Sequence, residues 1–137
     1  MKTYFDSNVL VSRLNVNSPH HAAAVAALAA AGKGAGTSTH ALAETYRTLT
    51  TLKQPIPPRA AAQLVEGLRE KLAVRDIPGA AYTAALAEVA RQGLAGAIVY
   101  DAVHCFAARQ FGAGEIVTRN GPHLRLFAGK LTVTELI

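Results

Sequence analysis

The sequence predicts an α/β domain whose parallel sheet is flanked by helices. Three observations point there. Short β-prone runs alternate with longer helix-prone runs along the whole chain. Proline stands at the start of several helical stretches and glycine at their ends. The composition is globular: of 137 residues, half are hydrophobic and 17% are charged. Alanine is used heavily, which suits helices.

The elements follow in order. Lys2–Phe5 is a β-prone run that ends at Asp6-Ser7-Asn8, and Val9–Leu14 continues into a short helix. Ser18-Pro19 predicts an N-cap and first helical position, with the helix running through His20–Ala31 and stopping at Gly32. Ala35–Thr37 predicts a short strand. Thr37-Ser38-Thr39 offers caps for a helix over Thr39–Leu52, whose apolar positions Leu42, Tyr46 and Leu49 keep helical spacing. Pro55, Pro57 and Pro58 break the chain, and Pro58 opens a helix over Arg59–Glu70. Leu72–Ile77 reads as a strand. Pro78 starts a helix through Ala80–Gln92, ended by Gly93. Asp101–Phe111 predicts another helix, Glu115–Thr118 a strand, Pro122–Phe127 a short helix and Leu131–Thr134 a last strand. That makes five strands. No internal repeat, linker or low-complexity tail interrupts them.

Composition excludes several classes. The length favours one compact domain that buries a core without disulfides. The single cysteine, Cys105, forms no intrachain disulfide, and this fits a reducing compartment. The longest apolar run, Ala22–Ala31, is too short to span a bilayer, and Asp6 comes too early for a signal peptide. The expectation is a soluble cytoplasmic protein with no membrane association. Fourteen Lys and Arg against nine Asp and Glu give a net charge of +5, which favours a polyanionic partner.

The acids carry the chemistry. In an open parallel sheet, ligands bind beyond the carboxyl ends of the strands. Asp6 follows the first strand, and Asn120 follows the fourth in Ile116-Val117-Thr118-Arg119-Asn120. Glu44 lies early in the helix after the second strand, and Asp101 at the start of a later helix. Asp76, near the end of the third strand, is a weaker candidate. Glu66, Glu70 and Glu88 fall on helix faces; Glu115 and Glu135 sit at the wrong end or an edge.

Three carboxylates at one rim repel unless a cation joins them. Mg²⁺ takes oxygen ligands, keeps waters and often binds substrate phosphate. It polarises a phosphoryl oxygen and favours deprotonation of an attacking water. No HxH, HExxH or CxxC pattern points to zinc. Each acid also has an ordinary reading: Asp6 as a turn or helix cap, Asp101 as an N-cap, Glu44 as a solvated helix residue. Their joint placement favours the metal.

Four runs in order strengthen it. Tyr4-Phe5-Asp6-Ser7-Asn8-Val9-Leu10, Thr39-His40-Ala41-Leu42-Ala43-Glu44-Thr45-Tyr46-Arg47, Ile98-Val99-Tyr100-Asp101-Ala102-Val103-His104 and Ile116-Val117-Thr118-Arg119-Asn120 together resemble the PIN-domain nucleases. Among these they resemble the toxin nucleases of VapBC toxin–antitoxin systems, over essentially the whole chain. The resemblance implies a three-layer α/β/α fold with a central parallel sheet. It implies Mg²⁺- or Mn²⁺-dependent cleavage of single-stranded RNA, leaving a 3′-hydroxyl and a 5′-phosphate. It also implies a homodimer and inhibition by a small antitoxin. Asp6, Glu44 and Asp101 carry over as metal ligands, and Thr118 as the hydroxyl that orients them. The fourth position is usually Asp but here is Asn120, which adds no charge. This favours one firm metal site and leaves a second open.

Supporting roles fall to Ser7 and Asn8, toward a metal-bound water or phosphate, and to Arg47 and Arg119, toward phosphate. Arg47 can equally pair with Glu44, and Arg119 can be a solvated loop residue. Arg13, Lys33, Lys53 and Arg125 are candidates for a basic rim. His104 and Cys105 read as packing residues. Two alternatives stay open: a PIN-like module that binds RNA or protein without cutting, motivated by Asn120, and a nuclease of RNA maturation with no antitoxin.

Overall fold

Strand β1 (Thr3–Phe5) is buried along its length because it sits mid-sheet with helices on both faces. The computed structural model describes every residue, Met1–Ile137. From β1 the chain enters α1 (Ser7–Leu14) and α2 (His21–Ala31), then β2 (Ala35–Ser38), α3 (Thr39–Thr50) and α4 (Pro58–Gly67). Next come β3 (Ala73–Arg75), α5 (Gly79–Arg91), α6 (Ile98–Gln110), β4 (Glu115–Thr118), α7 (Gly121–Arg125) and β5 (Thr132–Glu135). The five strands are all parallel, in the order β3-β2-β1-β4-β5.

Strand periodicity divides the interior into two cores, since alternate residues face opposite ways. Phe5 and its register partner Val117 face a core with Leu10, Leu28, Leu42, Leu49 and Val65, supplied by α1 to α4. Tyr4 and Ile116 face the other, with Ala85, Val103, Phe111 and Leu124 from α5 to α7. The fold is therefore a three-layer α/β/α sandwich, as the alternation and the resemblance imply. No helix is long and apolar enough to cross a membrane.

Several boundaries differ from expectation for local reasons. Ser18 does not cap α2: its hydroxyl accepts from the His20 N–H at 3.1 Å, closing a turn of its own, and the helix begins at His21 without a side-chain cap. Gly32 ends α2 in the left-handed region, at φ 52°. Strand β3 is shorter than predicted because it is an edge that pairs only with Gly36–Ser38 of β2. Helix α6 starts three residues before Asp101, at Ile98, with no polar cap to announce it. Asp101 therefore lies in its first turn and is not its N-cap. Tyr46 is 37% exposed, at the rim of a groove between α3 and α4, and not in the core.

Candidate functional site

The strand order reverses at the centre of the sheet. β1 leads to β2 on one side, whereas β4 enters on the other. The crevice between the carboxyl ends of β1 and β4 is the topological switch point, where open α/β sheets place ligands. Asp6 and Thr118 flank it.

Asp6 is only 2% exposed. It is the N-cap of α1, and its Oδ1 accepts from the Ser7 N–H at 2.8 Å. Its Oδ2 accepts from the Thr118 hydroxyl at 2.7 Å and from Asn8 Nδ2 at 3.3 Å. Asp6 therefore does cap α1, and the same carboxylate lies at the switch point. The Thr118 oxygen in turn accepts from the Asn120 N–H at 3.0 Å and from Asn8 Nδ2 at 3.3 Å. Asn8 Oδ1 takes the Arg119 N–H at 3.0 Å. Asn8 thus ties α1 to the loop after β4, and its amide is engaged within the protein.

Glu44 reaches the site from the second turn of α3, and His104 joins it to Asp6. The His104 ring is buried on α6, with Nε2 at 2.5 Å from Glu44 Oε1 and 3.6 Å from Asp6 Oδ1. Its Nδ1 is 2.7 Å from the Tyr4 hydroxyl, which is 2.7 Å from Ser38 Oγ. The expectation that His104 only packs is thereby corrected: it is buried, but it bridges two of the candidate ligands. The signal was its spacing, three residues after Asp101 and hence on a neighbouring helical face.

Asp101 faces the same rim. His123 Nδ1 lies 3.4 Å from its Oδ2 and accepts from Asn120 Nδ2 at 2.8 Å. Asn120 therefore meets the cluster through His123, which sequence reasoning passed over. Arg47 is exposed and makes no ion pair with Glu44; Arg119 is exposed and held by its backbone. The basic rim does not assemble. Lys33 precedes β2 at the opposite end of the sheet, where it lines a cavity of about 500 Å³ with Arg13, Glu70 and Lys71. Arg125 pairs with Glu135 at 3.5 Å, and Lys53 lies beside Asn15 and Asn17.

The electrostatics show a site short of positive charge. Neither Asp6, Glu44 nor Asp101 pairs with Lys or Arg; their basic neighbours are imidazoles. Burial, then the Asp6 charge, push the Asp101 carboxyl above its ordinary 3.8, against a smaller pull from His123 and His104. Burial also opposes ionisation of Glu44, but the hydrogen bond and charge of His104, with His40, hold it below its ordinary value. Burial disfavours the His104 imidazolium, yet Asp6, Glu44 and Asp101 together raise it. A carboxylate whose ionisation is opposed by burial and by a neighbouring carboxylate, with further carboxylate and amide oxygens around it, suits a hard divalent ion. The fit is open: Asp6, Glu44 and Asp101 do not gather into a group with all ligand atoms within 4.8 Å, whereas His40, Glu44 and His104 do.

The family model described as the PIN domain matches residues 3–126. The chain belongs to the PIN domain family. Solved PIN-fold structures agree in architecture. A DNA-bound VapBC from Salmonella typhimurium superposes with a TM-score of 0.76 at 19% identity, covering 100% of this chain and 99% of that one. VapBC2 from Rickettsia felis, bound to a promoter DNA fragment, gives 0.72 at 17% identity over 98% of both chains. The sarcin-ricin loop cleaving toxin VapC20 of Mycobacterium tuberculosis gives 0.68 at 19% identity, covering 84% of this chain and 87% of that one. No curated protein sequence matches the chain. At these identities the likeness establishes the PIN fold.

Proposed function

We propose that this PIN domain is a divalent-metal-dependent endoribonuclease, the toxin of a VapBC-type toxin–antitoxin pair. One observation carries the reading. Asp6 is buried at the switch point, fixed by three hydrogen bonds, and faces Glu44 and Asp101 with no Lys or Arg to balance them. Such an arrangement costs stability unless a ligand repays it, and the ligand it suits is a cation.

Asp6, Asp101 and Glu44 would hold Mg²⁺ or Mn²⁺. The ion, when bound, supplies the charge that polarises a phosphoryl oxygen and favours deprotonation of an attacking water. The protein does the rest. Thr118 and Ser7 fix the Asp6 carboxylate, so that its oxygens need no reorganisation. His104 holds Glu44 in place from behind. His123 and Asn120 stand beside Asp101, where a leaving oxygen can take a proton or hydrogen bond. Arg47 and Arg119 are exposed and would make phosphate contacts, while the Ser7 hydroxyl, which bonds Glu44, would turn to a metal-bound water or phosphate. The products are a 3′-hydroxyl and a 5′-phosphate.

The solved VapBC neighbours support an antitoxin partner here; its small size, a toxin homodimer and a cytoplasmic location rest on the family resemblance alone. The net charge of +5 favours an RNA substrate.

The test is cleavage of RNA by the purified chain with Mg²⁺, beside Asp6→Ala, Asp101→Asn and an EDTA control. Loss of a residue that merely supports a ligand costs about 10–100-fold, so loss of a ligand should cost at least as much. Equal cleavage by wild type and the variants would sink the reading. RNA retained but uncut by a well-folded wild type would favour a binding module instead.

A further inference from the structure

His40 lies four residues before Glu44 on the same face of α3. Its Nε2 is the one buried side-chain nitrogen or oxygen in the chain with no hydrogen-bond partner. Native interiors leave few such atoms, and each calls for a missing water or ion. The atom does not point into apolar packing. It lies 3.7 Å from Glu44 Oε1, and its ring is 5.5 Å from that of His104. Tyr100 stacks against it at 5.6 Å and Tyr82 meets it edge-on at 6.3 Å, which closes the outer side. His40 Nε2, Glu44 Oε1 and His104 Nε2 all fall within 4.8 Å of one another, and Asp6 Oδ1 stands 3.6 Å from His104 Nε2.

We infer that His40, Glu44 and His104 form a second metal seat, which takes a first-row transition ion such as Zn²⁺ or Co²⁺ rather than Mg²⁺. The donor set decides the class. Two imidazoles and one carboxylate suit Zn²⁺, Co²⁺ and Fe²⁺, whereas Mg²⁺ prefers oxygen and dehydrates reluctantly. The backing of His104 also fits. A metal-bound imidazole normally donates its other N–H to a fixed acceptor. Here Nδ1–H can donate to the Tyr4 oxygen, whose own O–H then donates to Ser38 Oγ. Without metal, Nε2–H donates to Glu44; on binding, that proton leaves and the ion takes its place between the two groups. Bond lengths of about 2.0–2.2 Å require the Glu44–His104 contact to widen slightly, within the reach of a half-exposed glutamate. Sequence motifs miss this seat because His104 lies sixty positions beyond Glu44.

The seat shares Glu44 with the proposed nuclease site, but it stands on the coordination geometry alone. It is therefore tested by binding and not by RNA cleavage. The full chain, stripped with EDTA, is titrated with Co²⁺ while visible d–d absorption is followed, and Zn²⁺ is then added. The expected result is one tight equivalent of Co²⁺ with the bands of nitrogen and oxygen ligation, displaced by Zn²⁺ and distinct from Co²⁺ held by oxygen alone at the acidic cluster. His40→Ala removes a ring that makes no hydrogen bond, so it should fold as the wild type does. It should weaken Co²⁺ binding at least about 10-fold. Asp101→Asn should weaken it clearly less than His40→Ala does, because Asp101 adds charge near the seat but no ligand atom to it. Unchanged affinity in a folded His40→Ala would overturn the inference and leave a water to satisfy Nε2. Equal loss in Asp101→Asn would also overturn it, by placing the ion in the acidic cluster. Absence of nuclease activity would count against the nuclease reading and leaves both outcomes for this seat unchanged.

Discussion

The Thr118 hydroxyl does three things at once. It donates to Asp6, and it accepts from the Asn120 N–H and from Asn8. Thr118→Val keeps the shape but leaves Asp6 Oδ2 with only its longer bond from Asn8 and strands the Asn120 N–H. The expected loss is about 1–3 kcal/mol of stability, read by urea denaturation. Activity should fall about 10–100-fold because Asp6 is no longer held, and Thr118→Ser should restore both. His104 gives a pH prediction. Its folded value is raised above the ordinary 6.5, so its contribution is complete below 6.5 and is lost as pH rises through the folded value. Glu44, shifted down, contributes fully above 4.5, and that contribution is lost only as pH falls through its lower folded value. The pair therefore favours mildly acidic conditions. The melting temperature of EDTA-treated protein should decline from pH 6.5 upward, and His104→Gln should flatten that decline. At this scale the sequence was partly legible. Asp6, Glu44, Asp101 and Thr118 could be found from their places after strands or early in helices. His104 carried only the weak signal of its spacing from Asp101, and His40 that of its spacing from Glu44, since a helical histidine looks like packing or surface until its distant partner is known.

Helix α3 shows how an element sets the site. Ser38 ends β2 and caps α3, its oxygen accepting from the Ala41 N–H at 3.1 Å. The same hydroxyl meets Tyr4 of β1 at 2.7 Å, so the cap also fixes where α3, with His40 and Glu44, begins relative to the central strand. Ser38→Ala should cost about 0.5–2 kcal/mol as a lost cap, measurable by thermal or chemical unfolding. It should also loosen Glu44, and so reduce metal affinity more than an equally destabilising change on α2. A polar cap is legible where the residue does cap: α3 begins where Thr37-Ser38-Thr39 places it, whereas Ser18 closes a turn before α2. Where no polar residue caps the helix, as at Ala97 before α6, the start was read three residues late. The edge strand β3 was read too long, because its length is set by its partner and not by its own propensity.

At the scale of the whole molecule, the two cores fix β1 and β4 side by side, and the strand order puts a reversal at their carboxyl ends. The stability of the fold is thereby set against the charge it must hold there. Burial and the nearby Asp6 charge raise the Asp101 carboxyl, so its ionisation at neutral pH weakens the metal-free protein. A group shifted upward contributes stability below its unfolded value and loses it as pH rises. Asp101→Asn removes that charge at constant shape. It should therefore raise the melting temperature of EDTA-treated protein at pH 7. The same variant should lose the response to Mg²⁺. In the wild type, a bound ion at a hundred times its dissociation constant adds about 2.7 kcal/mol, several degrees for a chain of this length. The two effects have opposite signs in one substitution: more stable without metal, less stabilised with it. A merely structural aspartate would show neither, since its replacement would lower stability with and without Mg²⁺ alike. Thermal unfolding of both proteins across a Mg²⁺ series distinguishes a carboxylate placed for the fold from one placed, against the fold, for an ion.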